Sequence, residues 1–266
     1  MLSQISLIIP AYCEEEAIVS FVTQAIDTLD LLSIDFEIII VDDGSTDTTL
    51  KKAKTAFGNS DLVKIISLPN NRGYGGAVIE GVKQATKPYI LTAPVDNPVT
   101  PQFVQNYLDV FKPDTVIVGY RNGRKGYHFV QKILSLTLQR FFRVFYRPKL
   151  KDYSWIHWYP KSLWEDERFT ITQNRIVFFG ECLIKAHHLA YPIIEIPLGH
   201  VARNTGRPTS GRVKTWYRTA KEVLAFVKHF PVWKKEINNS NFVKPINLPL
   251  SQKNEAKSNA EKYVAN

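Results

Sequence analysis

Phe36-Glu37-Ile38-Ile39-Ile40-Val41-Asp42-Asp43-Gly44-Ser45-Thr46-Asp47 is an apolar, β-branched run that stops abruptly on acids, a glycine and hydroxyls. Residues 36–41 predict a buried strand, and the polar residues after them predict the loop at its carboxyl end. Similar short runs stand at residues 5–9, 63–68, 88–92 and 115–119, with helical patterns between them. Strand and helix in alternation specify an α/β fold, with a mostly parallel central sheet and helices on both faces. The first intervening helix carries Ile18, Phe21, Val22, Ala25, Ile26 and Leu29 on one face. In the third helix Gly73, Ala77, Gly81 and Ala85 recur every fourth position, which lets its backbone lie close on a sheet.

Ligands of open α/β sheets bind beyond the carboxyl ends of the strands, so the residues just after each run are where chemistry is expected. The first run ends in Pro10-Ala11-Tyr12-Cys13-Glu14-Glu15-Glu16, and the second in the acidic turn quoted above. Helix capping is the plainer account of both. Thr46 or Asp47 suits the cap of the following helix, and Glu14 to Glu16 suit a helix first turn.

Three segments in order resemble the family 2 glycosyltransferases. They are Pro10-Ala11-Tyr12-Cys13-Glu14 for P-x-Y-N-E, Val41-Asp42-Asp43-Gly44-Ser45 for V-D-D-G-S, and Asn71-Arg72-Gly73-Tyr74-Gly75-Gly76-Ala77 for N-x-G-x-x-x-A. The resemblance covers residues 4–120 and implies the GT-A fold of nucleotide-diphospho-sugar transferases. It implies that Pro10, Tyr12, Glu14, Val41 and Asp43 line the nucleotide-sugar pocket, with carboxylates accepting hydrogen bonds from base and ribose. In Leu91-Thr92-Ala93-Pro94-Val95-Asp96, Pro94 replaces the first acid of the family's D-x-D and Asp96 keeps the second. By resemblance Asp96 binds the donor and holds Mg²⁺ or Mn²⁺ against its diphosphate, a hard cation suited to oxygen ligands. The plainer account of Asp96 is a turn residue before Pro98.

Further on, Gly119-Tyr120-Arg121, Ile194-Glu195-Ile196-Pro197 and Arg203-Asn204-Thr205-Gly206 resemble segments of the polyprenyl-phosphate branch, which includes dolichol-phosphate mannose synthase. That resemblance assigns Arg121 and Arg203, with Asp96, to the catalytic set. An arginine fork offers paired donors to phosphate oxygens; a surface charge is the plainer account of each. The branch's lysine after the second arginine is Thr209 here, which leaves Arg207, Arg212 or Lys214 to supply its charge. Leu150-Lys151-Asp152-Tyr153-Ser154 matches the branch's D-x-x-S-G-F only weakly. Glu181 is read as structural, because Phe178-Phe179-Gly180-Glu181 lacks the aspartate expected beside a base. His187 and His188, adjacent in sequence, point different ways and make no metal pair.

The 266 residues suffice for one core, with a transferase domain over 1–236 and a polar, flexible tail over 237–266. Residues 1–120 form the nucleotide-sugar half and 121–236 the acceptor half. Within the latter, residues 129–147 form an amphipathic helix with Lys132, Arg140, Arg143 and Arg147 opposite Leu134, Leu138, Phe141 and Phe145. Such a helix suits a membrane interface, or packs on the domain with a solvated basic edge.

The formal charge of +9 calls for an anionic partner, but no nucleic-acid motif accompanies it. Two cysteines make no disulfide framework, and no run reaches the roughly 18 apolar residues of a membrane span. The sequence therefore implies a cytoplasmic protein, peripheral on the inner face of the membrane, with a membrane-bound partner or a homo-oligomer left open. Its expected reaction is inverting transfer of a hexose from a nucleoside diphosphate sugar to a polyprenyl phosphate. A saccharide-hydroxyl acceptor, or a catalytically silent nucleotide-sugar-binding protein, are the alternatives.

Overall fold

Residues 4–96, 99–121, 129–145, 150–153, 156–198 and 213–239 are described by the computed structural model. The chain opens with the expected alternation: β1 (Gln4–Ala11), α1 (Ile18–Leu31), β2 (Asp35–Asp42), α2 (Thr49–Phe57), β3 (Val63–Ser67), α3 (Tyr74–Gln84), β4 (Tyr89–Thr92), α4 (Pro101–Asp109) and β5 (Val116–Arg121). It continues through α5 (Phe129–Phe145), β6 (His157–Pro160), α6 (Lys161–Glu165), α7 (Ile176–His188), β7 (Ile193–Leu198) and α8 (Val213–Asn239).

The seven strands form one sheet in the order β3-β2-β1-β4-β6-β5-β7. All described pairings are parallel except those of β6, which runs antiparallel between β4 and β5. Side chains of successive strand residues point to opposite faces. Leu7 and Ile9 of β1 accordingly enter a core with α1, α2 and α4, while Ile8 enters the opposite core with α3, α5, α7 and α8. Both faces are thus covered, which is why these strands read as continuous apolar runs rather than as alternation.

Two helices show how sequence sets placement. Thr100 caps α4 by accepting from the Phe103 N–H at 3.2 Å, with Pro101 at the first helical position. In α3 the glycine spacing works as expected: a Cβ on Gly81 would lie 2.6 Å from Ile8 Cγ2 and 3.2 Å from Val41 Cγ2.

Past β5 the structure shows elements that the sequence pattern does not assign, and one helix that divides differently. Ile176–Phe179 begins α7, and β6, which carries no alternating pattern, joins the sheet. Helix α8 runs to Asn239, two residues past Ile237, where the sequence turns polar. The amphipathic helix divides differently from its sequence pattern: Phe142, outside the expected apolar set, is the deeply buried residue, with Leu138 and Phe141 packed beside it. Arg140 and Arg143 are exposed as expected, and Arg143 Nε donates to the Leu150 carbonyl at 2.6 Å. The side chains of Lys132, Leu134, Phe145 and Arg147 lie outside the described set, as do residues 240–266.

Candidate active site

Strands β2, β1 and β4 are neighbours and parallel, with Ala11 paired to Asp42 and Ile8 to Thr92. Tyr12, Asp43 and Asp96 therefore follow the carboxyl ends of three adjacent strands. At about 4.8 Å between strands, β2 and β4 stand about 10 Å apart across that edge. This is the crevice in which open α/β sheets bind ligands.

Pro10 and Val41 are buried in their strands, Tyr12 is 45% exposed, and Glu14 is half-buried. The Glu14 carbonyl accepts from the Ala17 and Ile18 N–H groups and so starts α1, while its own N–H donates to Thr49 Oγ1 at 2.8 Å. Cys13 takes a positive φ of 55°, and its N–H donates to Ser45 Oγ at 3.0 Å. The turns after β1 and β2 therefore hold each other. The capping account does not hold as expected: the N-cap of α2 is Thr48, without a side-chain cap bond, and Glu14 to Glu16 precede the first turn of α1. Asp47 Oδ1 instead closes a local turn, accepting from the Thr49 N–H at 3.0 Å and from its hydroxyl at 2.6 Å.

Asp43 is 3% exposed and shapes the loop before α3. Its Oδ1 accepts from the Arg72 N–H at 2.6 Å and its Oδ2 from the Gly73 N–H at 2.8 Å. Burial raises the Asp43 carboxyl above its ordinary value, against the pull of those two N–H groups and of the Arg175 guanidinium. Gly73 has φ +86°, and a Cβ there would lie 2.6 Å from Arg175 Cγ and 2.7 Å from the Asn174 carbonyl, so both conformation and space call for glycine. The same Asn174 carbonyl accepts from the Gly75 and Gly76 N–H groups at 2.9 and 3.3 Å. The first turn of α3 is thereby capped from outside the helix.

Arg175, which sequence reading did not single out, comes to this edge because residues 170–175 fold over α3. Its Nη2 lies 3.2 Å from Asn71 Oδ1. Glu181 pins that loop. It accepts from the Thr172 N–H and hydroxyl and from the Gln173 N–H at 2.7–3.0 Å. It also pairs with Lys185 Nζ at 2.8 Å, both side chains being 1% exposed. Lys185 in turn donates to the Thr170 carbonyl and lies 5.0 Å over the Trp233 ring.

Asp96 is half-buried just past β4. Tyr74, the first residue of α3, lies within electrostatic reach of it, and burial pushes the Tyr74 phenol well above its ordinary value. Beneath them His157 pairs across the sheet with Thr92, and its Nδ1 lies 2.5 Å from the Tyr159 hydroxyl. Burial lowers His157 to about 3, so it is neutral at physiological pH. Among the described residues no three His, Cys, Asp or Glu side chains converge on one point that could hold a metal ion.

Arg121 ends β5, and its side chain lies outside the described set, as do Arg203, Arg207 and Arg212 entirely and the side chain of Lys214. Beside β5 stands a cation that sequence reading gave little weight. Lys151 Nζ lies 3.0 Å from the Tyr120 hydroxyl and 4.2 Å over its ring, and the Lys151 N–H donates to Glu195 Oε1 at 2.6 Å. Asp152 is buried and accepts from Gln139 Nε2 at 3.0 Å. Glu181 and Asp152, the carboxylates weighed as a base for an acceptor hydroxyl, are thus both buried and engaged.

Comparison with known proteins agrees with this geometry. Residues 6–181 match the family model described as glycosyl transferase family 2. An undecaprenyl-phosphate 4-deoxy-4-formamido-L-arabinose transferase of Proteus mirabilis is 27% identical over 136 residues, 50% of this chain and 41% of that protein. A dolichyl-phosphate beta-glucosyltransferase of Mus musculus is 38% identical over 101 residues, 35% of this chain and 31% of that protein. The chain spans less than half the length of these curated relatives. Among solved structures, glucosyl-3-phosphoglycerate synthase from Mycobacterium tuberculosis, in complex with Mn²⁺, uridine diphosphate and phosphoglyceric acid, aligns with a TM-score of 0.55 at 21% identity. The alignment covers 77% of this chain and 72% of that one. The same synthase with Mg²⁺ and uridine diphosphate gives 0.56 at 20% identity, covering 77% and 73%. At that identity the likeness shows the fold, which is GT-A.

Proposed function

The chain belongs to glycosyl transferase family 2, and from that premise we propose that it transfers a hexose from a nucleoside diphosphate sugar to a polyprenyl phosphate with inversion at the anomeric carbon. The family is shown; glycosyl transfer, its donor and its acceptor are the proposed part. The engagement of Glu181 and Asp152 carries the reading. A hydroxyl acceptor needs a base to remove its proton. A phosphate acceptor is already an anion at neutral pH and needs none. The polyprenyl-phosphate relatives, which use undecaprenyl and dolichyl carriers by name, support the same acceptor class.

In this reading the base and ribose lie over Tyr12 and against Asp43, between the turns after β1 and β2, with Pro10, Val41 and Glu14 shaping the pocket. The diphosphate extends toward Asp96. One carboxylate beside Pro94, with no group of three ligating side chains among the described residues, suits a divalent cation that arrives with the donor and draws its remaining oxygens largely from diphosphate and water. Bound there, Mg²⁺ or Mn²⁺ would offset the charge that develops on the leaving diphosphate. The synthase of the same fold is described with Mn²⁺ and uridine diphosphate.

Arg121 and Arg203 hold phosphate groups on the acceptor side, and Lys151 adds a cation next to β5. An acceptor phosphate oxygen attacks the anomeric carbon. The carbon–oxygen bond to the nucleoside diphosphate breaks, and the diphosphate leaves from the opposite face with both bonding electrons. The chain's task is positioning and charge stabilisation, with no proton to move.

The test compares a polyprenyl phosphate with the corresponding polyprenol across a panel of nucleotide sugars. Transfer to the phosphate alone is expected. Transfer to the alcohol at a comparable rate would require a base and would overturn the reading.

A further inference from the structure

Large apolar side chains that remain exposed are unevenly distributed over this molecule. Among the described residues six of the nine lie on two helices: Leu136 and Val144 on α5, and Tyr217, Leu224, Val227 and Val232 on α8. The helices are neighbours on one face of the sheet, in contact through Phe142 and Phe226, whose ring centroids are 6.1 Å apart. Their inner faces are fully used by that core, with Phe226, Phe230 and Trp233 of α8 each no more than 6% exposed.

The outer face of α8 has its own pattern. At about 100° per residue, Tyr217, Leu224 and Val232 fall on the same side as Lys221, Lys228 and Lys235. All six are exposed, Leu224 to 62% and Val232 to 57%. Lysine thus returns every seventh residue between apolar side chains. Glu222 is turned inward, where its Oε2 accepts from the Val177 N–H at 3.3 Å, and Glu236 lies a quarter-turn away from the stripe. On α5, which contains no acid, Arg140 and Arg143 stand beside Leu136 and Val144 in the same manner.

We propose that the outer face of α8, beside that of α5, docks this chain on an anionic lipid bilayer. A stripe that mixes long cationic and apolar side chains suits the headgroup boundary. Apolar groups enter it shallowly, while lysine stems lie along them and keep the ammonium groups at phosphate level. Charge complementarity separates this occupant from the others. Lysine is depleted from the cores of protein interfaces, and a second copy would set three lysines of one stripe against the three of another. No helix among the described residues is long and apolar enough to cross a membrane. The inference deepens the lipid-acceptor reading and gives it a geometry, because the helices that touch the bilayer belong to the acceptor half.

Flotation with vesicles of phosphatidylcholine, alone or mixed with phosphatidylglycerol, tests the surface without donor or acceptor, so its outcome is separate from that of the transfer assay. Wild type should float with the mixed vesicles, not with phosphatidylcholine alone, and binding should fall as salt rises. At about 1 kcal/mol per lysine near an anionic leaflet, K228Q/K235Q should lower the partition coefficient roughly 30-fold, and L224S/V232S should lower it further at unchanged charge. Circular dichroism should show both variants folded, since all four side chains point to solvent. Three results would overturn the proposal. Wild type floats with neither vesicle, the lysine variant binds as wild type does, or sedimentation shows a dimer that L224S/V232S disperses, which would assign the face to a second copy.

Discussion

Replacing Glu181 by glutamine separates a structural carboxylate from a catalytic one. The substitution removes the charge 2.8 Å from the Lys185 ammonium in a pair whose side chains are each 1% exposed. It keeps a carbonyl oxygen for the Thr172 and Gln173 N–H groups. Leaving one member of a buried pair without its partner costs about 3–5 kcal/mol. For a domain of this size that lowers Tm by roughly 6–20 °C at about 2–4 °C per kcal/mol. Since Glu181 positions the 170–175 loop and moves no proton, E181Q should keep most of its kcat below the new Tm. K185M should be similarly destabilised. The double variant E181Q/K185M, with neither charge left, should be more stable than either single variant. Scanning calorimetry with initial rates on the same preparations reads both quantities. An E181Q protein as stable as wild type but slower by on the order of 10²–10⁴-fold, the range of a lost general base, would refute the assignment and revive a hydroxyl acceptor.

Three further outcomes follow from the geometry. D96N should lose turnover more completely than nucleotide binding, because in the proposed reading a cation held by Asp96 would serve charge in the transition state; equal activity of the variant, read by calorimetric titration beside initial rates, would contradict that role. Burial alone would raise the Glu37 carboxyl, but the Lys64 ammonium, the Thr86 N–H and the Ser6 and Thr86 hydroxyls outweigh it and hold it at about 2, below its ordinary 4.5. Its folded value is depressed, so its contribution to stability is complete above 4.5 and is lost as pH falls toward 2. E37Q should therefore flatten the acid limb of a Tm–pH profile, and an unchanged limb would show that these bonds carry no net stabilisation. G81V places a branched side chain where a Cβ alone would meet Ile8 Cγ2 at 2.6 Å, and should cost roughly 1–3 kcal/mol in urea unfolding; a neutral substitution would mean that α3 lies less closely on the sheet than described.

What the sequence discloses here depends on how locally each feature is encoded. Strands β1 to β5 were legible because burial on both faces writes them as continuous apolar runs, and the carboxyl-end positions of Tyr12, Asp43 and Asp96 follow once the strands are placed. Strand β6 was not legible. His157-Trp158-Tyr159-Pro160 is only four residues long, and it is a strand because it fits between β4 and β5, partners remote in sequence. Helix α7 was obscured by its opening Ile-Val-Phe-Phe, whose period does not tell strand from helix over four residues. Asp43 stands at the strand end where it was expected, but nothing local says that its oxygens hold the Arg72 and Gly73 N–H groups. Arg175 could not be found at all, because it reaches Asn71 only through a loop set by the buried Glu181–Lys185 pair. On α5 the 3.6-residue period was right, but burial settled on Phe142, which the arc drawn from sequence had left out.

The central claim is transfer of a hexose to a lipid phosphate with inversion, and the product itself tests it most directly. Purified protein, a radiolabelled nucleotide sugar and undecaprenyl phosphate in detergent would be incubated with Mg²⁺ or Mn²⁺, and the organic-phase product examined by mass spectrometry and NMR. The account predicts a lipid carrying one hexose on its phosphate, in the anomeric configuration opposite to that of the donor. A donor consumed only when a neutral saccharide is supplied, or a lipid product that retains the donor's configuration, would contradict it.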